Sequence, residues 1–125
     1  MSDDPKERRK FARLDIALTV AYSVQNPGGD PSAVIEATSS DISAGGLRLM
    51  TPGPLENGSV LDLEIFLGES EEAPLHAVGE VVWQSKIAPT SFETGIFIKH
   101  IENEDKKRVM SFVFDQMATL MGLNK

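Results

Sequence analysis

The residues suited to hold an anion fall on two short segments. The first is Glu7-Arg8-Arg9-Lys10-Phe11-Ala12-Arg13. Five of the chain's 12 Lys and Arg residues lie between Lys6 and Arg13, against one acid, Glu7. The rest of the chain carries 7 basic and 18 acidic residues, a balance of −11. An acidic chain with its positive charge gathered in one arm is suited to a specific anion rather than to polyanions in general. Guanidinium is a planar fork that matches phosphate oxygens, or O6 and N7 of guanine. The second segment is Asp41-Ile42-Ser43-Ala44-Gly45-Gly46. A carboxylate accepts from guanine N1–H and the 2-amino group, while a hydroxyl and glycine amides can approach a phosphate closely. Arg9, Arg13, Asp41, Ser43 and Gly46 are therefore an inventory for an anion with phosphates and guanine bases. Each segment also has a plainer reading. The arm alone is a solvated basic tail, and Asp41 and Ser43 alone cap a turn through local bonds. Their occurrence together is what gives the first reading weight.

These segments need elements to bring them together. Residues 1–8 are polar, contain a proline and read as a flexible arm. From Leu14 to Val24, Ile16, Leu18, Val20, Tyr22 and Val24 alternate with smaller or polar residues, the period of a half-buried strand. Asn26 to Ser32 is a loop rich in turn residues. Val34–Ser40 reads as a second strand, with Val34, Glu36, Thr38 and Ser40 facing opposite to Ile35 and Ala37. The Asp41–Gly46 segment then reads as a turn. Leu47 and Leu49 flank Arg48 in a third strand. Leu61, Leu63, Ile65 and Leu67 mark a fourth. Ala77–Trp83 is a fifth, with Gly79 suggesting a bulge or bend. Lys86–Ser91 reads as a loop, and Phe92–Ile101 as the last strand. Asn103 caps a helix with Glu104 and Asp105 at its positive end. Its apolar residues Val109, Phe112, Val113, Met117, Leu120 and Met121 are widened by Met110 and Phe114, and Gly122 ends it. Several short strands followed by one helix read as an antiparallel sheet closed, or nearly closed, into a small barrel.

Composition narrows the function. The 125 residues suit one domain with one core, and 41% apolar content is ordinary for a globular chain. The absence of cysteine removes disulfides, thiolate metal sites and thiol nucleophiles. The two histidines, His76 and His100, have no ligand cluster around them in sequence. No segment reads as a secretory signal or as a membrane span of about 20 apolar residues. A net charge of −7 disfavours DNA or RNA as a partner. The expectation is a cytoplasmic binding protein without cofactor or metal, and not an enzyme. Trp83 reads as a barrel-wall residue.

The chain resembles the PilZ domain family. The resemblance rests on Arg9-Lys10-Phe11-Ala12-Arg13, on Asp41-Ile42-Ser43-Ala44-Gly45-Gly46, on their spacing, and on Gly79-Glu80-Val81-Val82-Trp83 and Thr94-Gly95-Ile96-Phe97-Ile98. It implies an all-β fold: a six-stranded antiparallel barrel with a C-terminal helix that binds cyclic di-GMP. The expected organisation is an arm over 1–8 and one domain over 9–125, with the barrel at about 13–101 and the helix at about 104–121. The resemblance assigns Arg9 and Arg13 to phosphate and guanine, Asp41 to a guanine edge, and Ser43 and Gly46 to the site lining. Arg8 occupies the position just before the motif, where the family's residue influences whether one or two ligand molecules bind. Two molecules per chain and an unnamed downstream protein partner are the expected company. A protein-interaction adaptor that ignores nucleotide is the alternative, since fold alone does not decide function.

Overall fold

The computed structural model describes residues 17–25, 33–67, 73–120 and 122. Six strands precede one helix: β1 (Leu18–Val24), β2 (Ile35–Ile42), β3 (Gly46–Thr51), β4 (Val60–Ile65), β5 (Leu75–Ala88), β6 (Ser91–Ile101) and α1 (Asn103–Leu120). They close in the order β1-β2-β3-β6-β5-β4, with β4 returning to β1. Every pairing is antiparallel. The six-stranded antiparallel barrel with a C-terminal helix expected from the sequence is the fold observed. Closure leaves no unpaired sheet edge in the ring.

Most inward positions are those the alternation marked, with Leu75 added at the start of β5. Val20, Leu49, Leu61, Leu63, Ile65 and Leu75 are wholly or almost wholly buried. Each such side chain contributes roughly 1.5–3 kcal/mol through burial. Closure also requires bends. β5 shifts register against β6 at Val78/Gly79, the glycine that the sequence singled out.

The ends of β2 and β5 differ from the sequence reading. β2 runs through Asp41 and Ile42, so the turn is shorter than expected. The buried positions of β2 are Ala37, Ser39, Asp41 and Ile42. Ser39 and Asp41 are polar, so hydropathy alone does not mark them as buried. β5 continues to Ala88, and only Pro89 and Thr90 form the turn to β6. The expected loop there is the exposed tip of a hairpin. The start of the first strand before Ala17 lies outside the described residues.

Helix α1 docks through a narrow stripe. Val109 and Val113 are buried against the barrel, with Phe112 partly packed beside them. The His76 backbone N–H donates to the Asp105 carboxylate at 3.2 Å, and Arg108 donates to the Ala73 carbonyl at 2.7 Å. These contacts tie the first turns of the helix to the start of β5. Met110, Phe114, Met117 and Leu120 remain exposed, Phe114 at 72%. The apolar face is therefore wider than the surface that it covers.

Candidate functional site

The hairpin between β2 and β3 carries the second motif. Ser43 closes it: its N–H donates to the Gly46 carbonyl at 2.9 Å. Its Oγ accepts from the N–H groups of Gly45 and Gly46, each at 3.2 Å, and lies 3.3 Å from the Gly46 carbonyl oxygen. The turn-capping role of serine is thus real, and it orders the two glycine amides. The turn is also fastened to β6, since the Ile98 N–H donates to the Gly45 carbonyl at 3.0 Å. Gly46 pairs with Phe97, and a Cβ on Gly46 would lie 2.5 Å from the Ile96 carbonyl oxygen. Only glycine lets β3 lie this close to β6 there.

Asp41 reaches the site through a bulge. Ser39 pairs with Leu49, but Asp41 pairs with Arg48, so the register shifts by one residue between them. Plain alternation would put Asp41 on the same face as Ser39, toward the interior. The extra residue turns it to the face of Arg48, opposite to the buried Leu47 and Leu49. There the Asp41 Oδ2 accepts from Arg48 Nε at 2.8 Å and lies 2.7 Å from Arg48 Nη2. Arg48 Nη1 lies 3.4 Å from Glu93 Oε2. The Asp41 side chain has no solvent exposure, while Arg48 is 38% exposed.

Beside the hairpin is a hollow of about 200 Å³, lined in part by Gly45, Gly46, Arg48, Trp83, Gly95 and Phe97. Trp83 lies against Gly95, where any Cβ would run into the indole. It stands on the outer wall, 40% exposed, consistent with the sequence reading. A larger hollow of about 390 Å³ is bounded by His76, His100, Glu64 and Glu102 and contains no motif residue. Its histidines are solvent-facing, His76 and His100 each being 65% exposed. Volume alone does not identify the site, whereas Gly45 and Gly46, whose amides Ser43 orders, and Arg48, which pairs with the buried Asp41 carboxylate, line the smaller hollow. Among the described residues, no group of three or more His, Cys, Asp or Glu is placed to hold a metal ion. No described helix is long and apolar enough to cross a membrane.

Asp41, Ser43 and Gly46 are therefore together on one hairpin. Arg8, Arg9 and Arg13 lie outside the described residues. Sequence reasoning missed Arg48 and Glu93. Arg48 was visible only as a charge between two leucines, and strand register, which the sequence does not print, is what sets it against Asp41.

A closed antiparallel barrel with this capped hairpin on its rim defines a small β-barrel binding module. The chain belongs to the PilZ domain family, whose model matches residues 7–115. Several solved structures share the fold. The Bacillus subtilis inhibitor of motility MotI/DgrA is 21% identical with a TM-score of 0.74, covering 90% of this chain and 52% of that one. The PilZ domain of YcgR from Escherichia coli, solved with c-di-GMP, is 13% identical with a TM-score of 0.66, covering 94% and 99%. The K. pneumonia MrkH–c-di-GMP complex is 17% identical with a TM-score of 0.64, covering 91% and 54%. The chain thus spans about half the length of MotI/DgrA and MrkH. No curated protein sequence matches it.

Proposed function

We propose that this protein is a cyclic di-GMP receptor that binds without catalysing a reaction. Arg9 and Arg13 grip phosphate and guanine, Asp41 reads a guanine edge, and Ser43 and Gly46 line the site. Arg8 favours a second stacked ligand molecule. The reading is carried by one observation: a PilZ-family chain keeps both motif segments, and the Ser43 hydroxyl holds the amides of the second in place. The YcgR domain and MrkH, both solved with c-di-GMP, support the same ligand class. Residues 1–8 act as an arm on a single domain, 9–125. Binding draws the arm onto the barrel, and the new surface signals to a downstream protein in the cytoplasm. Because the Asp41 side chain has no solvent exposure, a base reaches it only once it is uncovered. Ligand entry is thus coupled to a local rearrangement around Asp41.

Calorimetric titration with cyclic di-GMP tests the proposal. Arg9→Ala and Arg13→Ala should each weaken binding about tenfold or more, as loss of a bidentate contact worth roughly 1–3 kcal/mol requires. Their melting temperatures should stay close to that of the parent. Unaltered affinity in both variants would refute the site, and absence of wild-type binding would refute the function.

A further inference from the structure

The β2 bulge places Asp41 across from Arg48, and neither sequence motif accounts for that arginine. Arg48 reaches three strands at once. It belongs to β3, its Nε and Nη2 lie 2.8 and 2.7 Å from Asp41 Oδ2 on β2, and its Nη1 lies 3.4 Å from Glu93 Oε2 on β6. It also lines the hollow beside Gly45 and Gly46. We propose that Arg48 is a positioning residue for base recognition: clamped between Asp41 and Glu93, it sets the direction of the Asp41 carboxylate and so the preference for guanine. The inference rests on the reading of Asp41 as the guanine-reading group.

The physical grounds are these. A buried carboxylate needs a paired charge to remain in place. Two donors from one rigid guanidinium plane converge on a single oxygen, which restrains the side chain more than one contact would. The plane is restrained in turn by Glu93 on the neighbouring strand. Lysine cannot reproduce this, because a single ammonium lacks the spread of donors needed to reach both carboxylates in fixed geometry. Base reading by a carboxylate is directional, whereas phosphate gripping is the role proposed for Arg9 and Arg13. A misdirected Asp41 therefore costs discrimination between bases more than it costs overall affinity. A purely structural Arg48 would weaken all ligands alike.

The test is the ratio of affinities for cyclic di-GMP and cyclic di-AMP, measured by calorimetry. Arg48→Met should lower the wild-type ratio about tenfold, the scale of one lost base-reading contact. Arg48→Lys should lie between. In an Asp41→Asn background, Arg48→Met should change the ratio less than about twofold, because its effect passes through Asp41. Glu93→Gln keeps the Arg48–Asp41 pair and loosens its anchor. It should lower the ratio about two- to fivefold without lowering the melting temperature, on the scale of one weakened partly exposed ion pair. If Arg48→Met does not fold, Glu93→Gln decides. A ratio unchanged in the folded variants, or an equal further loss in the Asp41→Asn background, overturns the proposal. A wild type that binds both dinucleotides equally overturns the guanine-reading role itself, a result distinct from a selective wild type whose variants stay selective.

Discussion

Gly46 shows how one residue serves fold and site together. Its missing side chain lets β3 approach the Ile96 carbonyl, and its amide is held by Ser43. Gly46→Ala puts a methyl 2.5 Å from a backbone oxygen that cannot rotate away. The strands must part, at a cost of roughly 1–3 kcal/mol typical of overpacking. Urea unfolding should show that loss, with ligand binding impaired as well; unchanged stability would contradict the close approach. Gly95 is a contrasting case, because the neighbour it makes room for is the Trp83 side chain, which is partly exposed and can swing. Tyr22 bears on pH. It is 2% exposed, and burial pushes its phenol above its ordinary value. The folded state thus binds the phenolic proton more tightly than the unfolded chain. This stabilisation is complete below the unfolded value of about 10 and is lost as pH rises through the folded value. Unfolding free energy measured from pH 8 to 11 should fall in the wild type and fall less in Tyr22→Phe. Parallel curves would exclude Tyr22 as the source.

Elements were legible where burial and apolarity coincide. β1, β4 and the middle of β6 announce themselves because Val20, Leu63, Ile65 and Ile96 are both inward and hydrophobic. β2 was read two residues too short, because Ser39 and Asp41 are buried by hydrogen bonding and charge pairing rather than by apolarity. The motif was recognisable as a set of residue types. The bulge that aims Asp41, and the Arg48 and Glu93 that engage it, depend on pairing between distant strands. Helix α1 was legible in position, but its apolar face overstated its docking. That difference has a measurable consequence. Val109→Ala removes methyl groups from a fully buried position and should cost about 1–3 kcal/mol. Phe114→Ala, at a far larger side chain, should change stability by less than about 0.5 kcal/mol, as surface substitutions do. Equal losses in denaturant melts would mean that Phe114 is covered.

Charge organises the whole molecule. Outside residues 6–13 the chain carries 7 basic and 18 acidic residues, so at long range the barrel repels an anion. Under the proposed function the arm must supply the compensating field. One cyclic di-GMP brings two negative charges, and a stacked pair brings four into a small volume. Arg9 and Arg13 provide two guanidinium groups, and Arg8 adds a third directly beside them. Its charge offsets the added repulsion, and its plane can stack on an outer guanine. A leucine at the same place offers neither charge nor hydrogen-bond donors. The alternative role of Arg8 is steering, which raises the association rate and leaves stoichiometry unchanged. Calorimetry should therefore give a ratio near two ligands per wild-type chain, falling toward one in Arg8→Leu. Native mass spectrometry should show the same two masses. Raising salt should weaken the second ligand more than the first, because its retention depends more on the added charge. A wild-type ratio near one by both methods would leave Arg8 with steering alone and would not touch the assignment of Arg9, Arg13 and Asp41.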